Sequence, residues 1–248
     1  MTTIRTVAVI GAGQMGSGIA QVVAAGGYEV KLYDIAPDRV TLALGEIAAS
    51  LARRAARGLS TEAEAQAALQ RVTAVKTLAE AAGADLVIEA VPEIPDVKTG
   101  VYQQMAPLLQ AHTVVATNSS TFLPSDFAAA TGRPEKFCAL HYANYIWSAN
   151  VVEIMPHAAT ARATLETVTR FGIETGMVPI PIAVEHNGYV INTWFPALLK
   201  AAQTLVTNGI ATPEDVDRTF LIANRGARMG PFGMMDIVGM KTCYDVSS

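Results

Sequence analysis

A chain of 248 residues that is 51% hydrophobic and only 16% charged holds enough apolar material for one or two packed domains. Its net charge of −4, without any Lys/Arg-rich run, argues against a nucleic-acid partner, and no apolar stretch approaches the roughly 18 residues of a membrane span. Two cysteines, Cys138 and Cys243, make no disulfide framework, and "MTTIRTVAVIGAG" does not read as a signal peptide, so a reducing, cytoplasmic setting is expected.

In chain order, "TVAVIG" (6–11) and "EVKLYD" (29–34) read as strands. A long helical stretch follows over 37–58, then a break at "GLST" (58–61). Thr61 and Glu64 make a capping box that starts a second helix, so an antiparallel helix pair is expected between strands. "RVTAV" (71–75), "DLVIEAV" (85–91), "TVVATNS" (113–119), "KFCALHY" (136–142) and "VVEIM" (151–155) read as further strands, many of them separated by helical segments. In "MVPIPIAV" (177–184), alternating prolines suit an edge strand or a linker. Beyond Gly188 the pattern is helical throughout, with a kink expected at Pro196 and a helix start at Thr212–Pro213. The expected fold is α/β: a Rossmann-type, doubly wound, mostly parallel sheet over residues 1–184, with the helix-pair insertion, followed by a smaller all-α domain over 185–248.

"VAVIGAGQMGSGIAQ" spaces Gly11, Gly13 and Gly16 as G-x-G-x-x-G directly after a strand and at the opening of a helix, the context of a dinucleotide loop. Gly11 allows the tight turn, Gly13 lets backbone approach a pyrophosphate, and Gly16 lets helix and strand pack closely. The diphosphate would sit on the helix amino terminus. Asp34, 23 residues after Gly11, suits a ribose 2′-hydroxyl and repels a 2′-phosphate, so the expected cofactor is NAD rather than NADP.

The chain has four histidines. His112 falls at a turn, His157 after a strand and His186 in the linker. His141 differs, because it lies at the carboxyl end of a late strand, the edge at which such sheets bind ligands. Glu153 follows twelve residues later on the next strand. If the chain turns back between them, the carboxylate fixes the imidazole tautomer and stabilises the imidazolium formed during proton transfer.

These residues resemble the 3-hydroxyacyl-CoA dehydrogenase family, including the bacterial 3-hydroxybutyryl-CoA dehydrogenases. The resemblance is carried over nearly the whole chain by "VIGAGQMGSGIAQ", "LYD", "DLVIEAVPEIPDVK", "NSST", "RPEKFCALHYAN", "VVEIM", "GYVIN" and "GPFGMMDIVG". It implies hydride transfer between NAD and carbon 3 of a hydroxyacyl thioester of fatty acid metabolism. It places the catalytic histidine on His141, its partner on Glu153, the serine that bonds the reacting oxygen on Ser120 and the helical-domain asparagine on Asn192. Asn144 falls on a substrate-side asparagine. Glu93 and Lys98 fall on a pair near the nicotinamide, and Gln14, Met15 and Asn118 complete the expected cofactor set. The helix pair matches a clamp over CoA, in which Arg53, Arg54 and Arg57 would meet phosphates. A homodimer through the apolar helices after residue 188 is also expected.

The sequence departs from the family around the substrate. Tyr145 stands where a proline is usual, with Trp147 close by. "NGY" (187–189) replaces Pro-Gly-Phe, and Thr193 replaces an arginine. Family members usually continue past a point corresponding to Ser248, so an incomplete helical domain is expected. Two alternatives stay open: a relative acting on a free hydroxy acid, of the gulonate or carnitine dehydrogenase kind, and a non-catalytic NAD-binding structural protein like the recruited lens crystallins.

Overall fold

The computed structural model describes residues 3–144, 146 and 149–247. In chain order they form β1 (Thr6–Ile10), α1 (Gln14–Ala25), β2 (Glu29–Tyr33), α2 (Pro37–Ala56), α3 (Glu62–Gln70), β3 (Val72–Ala74), α4 (Leu78–Ala82), β4 (Leu86–Glu89) and α5 (Pro95–Met105). Then come β5 (Val114–Thr117), α6 (Pro124–Phe127), β6 (Phe137–Tyr142), β7 (Val151–Met155), α7 (Arg162–Glu174) and β8 (Val178–Pro181). The remainder is helical: α8 (Ile191–Thr207), α9 (Pro213–Ala223), α10 (Pro231–Val238) and α11 (Met240–Ser247).

The strands form one sheet in the order β3-β2-β1-β4-β5-β6-β7-β8. All pairs from β3 through β6 are parallel, β6 and β7 are antiparallel, and β8 runs parallel to β7. The central strands β4, β5 and β6 are buried at every position, which is why they read as unbroken apolar runs rather than as alternation. The reversal at β7 has a local cause: about eight residues separate Tyr142 from Val151, and a parallel return needs a crossover of a dozen or more. At the edge, β8 bonds β7 through the N–H groups of Val178 and Ile182, which leaves Pro179 and Pro181, without donors, on the outer side.

The chain divides into two compact units, residues 1–189 and 190–248. The division falls after residues 185–189, past the sequence-based boundary at 184/185, because those residues bond back into the first unit. In that unit α2 turns Val40, Ala43, Ile47 and Leu51, spaced three and four apart, onto the same core as α1 and the sheet. Helix α3 adds Ala65 and Ala68, and its Thr61–Glu64 capping box is formed. In the second unit, Leu199, Ala202, Val216, Met235 and Cys243 make a small core of their own. Helix α8 runs through Pro196, and Thr212 caps α9 by accepting the Asp215 N–H.

Candidate active site

The glycine loop joins β1 to α1 at the carboxyl edge of the sheet. Gly11 has φ +106°, and a Cβ there would lie 2.5 Å from the Ala90 carbonyl oxygen at the end of β4. A Cβ on Gly16 would lie 1.8 Å from the Gly11 carbonyl oxygen, so helix and loop touch backbone to backbone. Gly13, the N-cap of α1, faces open space, and the first turn of the helix carries no acidic side chain. Two glycines therefore serve packing, and the third leaves a clear approach for a diphosphate to the helix dipole. Gln14 is exposed and Met15 half-buried beside this approach. Asp34 closes the loop: its Oδ2 accepts the Ala12 N–H at 2.8 Å and its Oδ1 the Ala36 N–H at 2.9 Å. Each carboxylate oxygen keeps a second lone pair, so Asp34 is also able to accept from a ribose hydroxyl. The residues present fit a dinucleotide.

His141 and Glu153 stand directly opposite each other in the β6–β7 register. His141 Nδ1 and Glu153 Oε2 are 2.8 Å apart, with Glu153 fully buried and the His141 side chain 6% exposed. A carboxylate only accepts, so the hydrogen lies on Nδ1 and the lone pair on Nε2. That Nδ1 bond is the imidazole's one hydrogen bond among the described residues. The ring packs against Tyr189, centroid to centroid 4.8 Å. Tyr189 is itself 1% exposed and has φ +56°, an uncommon backbone for a bulky residue.

A second cluster lies under the loop after β5. Lys98 Nζ is fully buried between two carboxylates, 2.8 Å from Glu89 Oε1 and 3.1 Å from Glu93 Oε2. Glu89 also accepts from the Tyr102 hydroxyl, the Thr117 hydroxyl and the Val91 N–H. Burial and the Glu89 charge push the Tyr102 hydroxyl well above its ordinary pKa, which keeps it a donor. Glu93 Oε1 accepts from the Ser119 hydroxyl, the backbone N–H groups of Ser120 and Thr121, and the Thr121 hydroxyl. Burial works against the Glu93 charge, but Lys98 and these hydrogen bonds outweigh it and hold the carboxyl below the usual range. The conformation of the Ser120 loop is thus set by an anion, and that anion by Lys98. Asn118 Oδ1 accepts the Tyr142 N–H at 2.9 Å, which ties the ends of β5 and β6 together beside His141.

The structure therefore brings His141 to Glu153, and Ser120 to Glu93 and Lys98. Asn144 is exposed in the turn after β6. Asn192 is half-buried in the first turn of α8, in the second unit. Arg53 and Arg57 are exposed at the end of α2, whereas Arg54 is half-buried and lines a cavity of about 560 Å³ with Gln21, Ile146, Asn150 and Met177. Tyr145 and Trp147 lie outside the described residues. Sequence reasoning passed over Glu89 and Ser119, and noted Asn187 and Tyr189 only as departures from the family pattern near the substrate. For Glu89 a signal existed, a charge inside the apolar run "DLVIEAV"; for Asn187 and Tyr189 none did beyond their place beside Gly188.

Comparison with known proteins identifies the family. Residues 6–185 match the 3-hydroxyacyl-CoA dehydrogenase NAD binding domain, and residues 188–248 match the 3-hydroxyacyl-CoA dehydrogenase C-terminal domain. A probable 3-hydroxybutyryl-CoA dehydrogenase of Bacillus subtilis is 32% identical over 98% of this chain and 84% of its own length. The solved (S)-3-hydroxybutyryl-CoA dehydrogenase of Ralstonia eutropha superposes with a TM-score of 0.89 at 30% identity, over 98% of this chain and 86% of that one. A diketoreductase described for dual catalysis of dicarbonyl compounds superposes with a TM-score of 0.91 at 42% identity, over 100% of this chain and 88% of its own. With a dinucleotide loop, a mostly parallel sheet and both family domains in sequence, the chain belongs to the NAD-dependent 3-hydroxyacyl-CoA dehydrogenase family.

Proposed function

We propose that the protein interconverts a 3-hydroxyacyl-CoA and the corresponding 3-ketoacyl-CoA, with His141 and Glu153 as the proton-transferring pair. The hydrogen bond between His141 Nδ1 and Glu153 Oε2 carries this reading, because it directs the free lone pair of Nε2 away from the carboxylate. In the oxidising direction Nε2 takes the 3-hydroxyl proton, and the buried Glu153 carboxylate stabilises the resulting imidazolium. In the reducing direction the imidazolium returns that proton to the carbonyl oxygen. Ser120 donates a hydrogen bond to the reacting oxygen. Tyr189 covers one side of the imidazole and keeps water from it. Bound NAD supplies the hydride acceptor. Gly11, Gly13, Gly16, Gln14, Met15 and Asp34 hold its diphosphate and adenosine side, and Glu93, Lys98 and Asn118 support the nicotinamide side.

Arg53 and Arg57, with Arg54 at its cavity, are the cationic groups offered to the CoA phosphates, and Asn144 lies on the substrate side. Members of the family that act on 3-hydroxybutyryl-CoA support a short acyl chain. The likeness to a diketoreductase, at higher identity, favours a second reading in which the substrate is a 3-oxo compound without CoA. Activity on acetoacetyl-CoA against free acetoacetate and a dicarbonyl ester decides between them. The second unit exposes Trp194, Ile210, Ile222 and Met240, which supports a homodimer formed through its helices.

A further inference from the structure

Three hydrogen bonds join residues 185–189 to the segment that follows Ser120. Asn187 Nδ2 donates to the Thr121 carbonyl at 2.9 Å, the Tyr189 hydroxyl donates to the Phe122 carbonyl at 3.3 Å, and Glu185 Oε1 accepts the Ser125 N–H at 2.7 Å. The same stretch reaches the other side of the site, since the Tyr189 ring lies against His141 and packs with Ala139, Met155 and Leu123. Gly188 at φ +81° and Tyr189 at φ +56° make the turn that presents both side chains. Such a backbone is strained at a non-glycine residue and persists where surrounding contacts over-determine it. The Thr121 and Phe122 carbonyls are the first two backbone acceptors after Ser120, whereas Glu93 grips the same loop through donors of Ser119, Ser120 and Thr121. Glu93 therefore holds the loop by its donors, while residues 185–189 hold two of its carbonyls and, through Glu185, the Ser125 N–H.

We infer that residues 185–189 are a strap that sets the placement of Ser120 relative to His141, with Asn187 and Tyr189 as positioning residues. The inference rests on the proposed roles of Ser120 and His141. Neither side chain acts on substrate; each fixes a carbonyl whose movement would carry the Ser120 hydroxyl away from the reacting oxygen.

The test is a double-mutant cycle on the full chain with Tyr189→Phe, Asn187→Ala and Ser120→Ala, using the best ketone substrate found for the wild type. Thermal melting and NADH affinity are measured alongside kcat and KM. Tyr189→Phe and Asn187→Ala should each lower kcat by roughly 3- to 10-fold, the worth of one hydrogen bond, with NADH affinity and melting temperature unchanged. In the Ser120→Ala background each should change kcat by less than about 2-fold, because the group they position is gone. A full loss that persists in that background, or no loss in either background, overturns the strap. If Ser120→Ala alone leaves kcat unchanged, the functional role of Ser120 falls and the strap with it. If Ser120→Ala lowers kcat while the strap variants do not, only the strap falls.

Discussion

His141 and Glu153 face each other across the antiparallel pair β6–β7, Nδ1 to Oε2 at 2.8 Å, with the carboxylate sealed from water. Glu153 lies twelve positions after His141 in sequence. The contact exists because the sheet reverses direction between them. A carboxylate so placed fixes one tautomer and adds its full charge to any proton transfer at the far nitrogen.

His141→Asn removes the group proposed to exchange the proton. It should lower kcat by roughly 10²–10⁴-fold, the usual share of general acid–base catalysis, with NADH affinity little changed. Glu153→Gln keeps the shape and one hydrogen bond but removes the charge that supports the imidazolium, so kcat should fall as well. Steady-state rates with fluorescence titration of NADH check both. Near wild-type turnover in His141→Asn would show that the pair is structural.

Much of this arrangement was legible in the sequence. The glycine spacing followed by a distal aspartate identified the cofactor, since each position answers a separate steric or electrostatic demand. The His141–Glu153 contact could be anticipated because strand ends of an α/β sheet gather ligands. The Glu89–Lys98–Glu93 chain was only half visible: Glu89 sits in a strand buried on both faces, where no periodicity separates a charge from its apolar neighbours. Asn187 and Tyr189 lie in irregular chain, where partners depend on tertiary placement alone. Among Arg53, Arg54 and Arg57, composition ranks nothing, and only the phase of α2 shows which one borders a cavity.

Cofactor choice should rest on Asp34. Asp34→Ala removes the anion facing the 2′-position, so the ratio of kcat/KM for NADH over NADPH should fall toward one. Absolute affinity for NADH should also drop, because the Ala12 N–H loses its acceptor. Equal efficiency with NADH and NADPH in the unmutated protein would contradict this assignment.

Lys98 is a stability residue as well as a support for the site. Lys98→Met leaves the fully buried Glu89 carboxylate without its cation and takes the same cation from the part-exposed Glu93. Removing one partner of a buried ion pair costs about 3–5 kcal/mol, so denaturant unfolding should show a loss of that order. A loss under about 1 kcal/mol would mean that water or a local shift compensates.

Acid should weaken the fold partly through Asp85. Partial burial opposes its charge, but the N–H groups of Thr6 and Arg5 and the His112 imidazole outweigh it, so the folded carboxyl lies below its ordinary pKa. A depressed carboxyl contributes stability above its unfolded pKa and loses it as pH falls through the folded value. Asp85→Asn should therefore be less stable than wild type near neutrality, with the difference shrinking on acidification below the ordinary carboxylate range. Melting curves at several pH values measure it, and a constant difference across that range would exclude the linkage.

The central claim is that this NAD-dependent site acts on a CoA thioester, and the kcat/KM for acetoacetyl-CoA set against that for free acetoacetate tests it most directly. On this claim, remote binding energy from CoA would position the ketone against His141. If those contacts contribute about 4 kcal/mol, the thioester should be favoured by roughly three orders of magnitude. Replacing Arg53, Arg54 and Arg57 together by Ala should erode that ratio from the thioester side alone. Comparable values for the two substrates, or strong activity on a dicarbonyl ester or hydroxy acid with none on any acyl-CoA, would contradict the claim and move the protein to the reading without CoA.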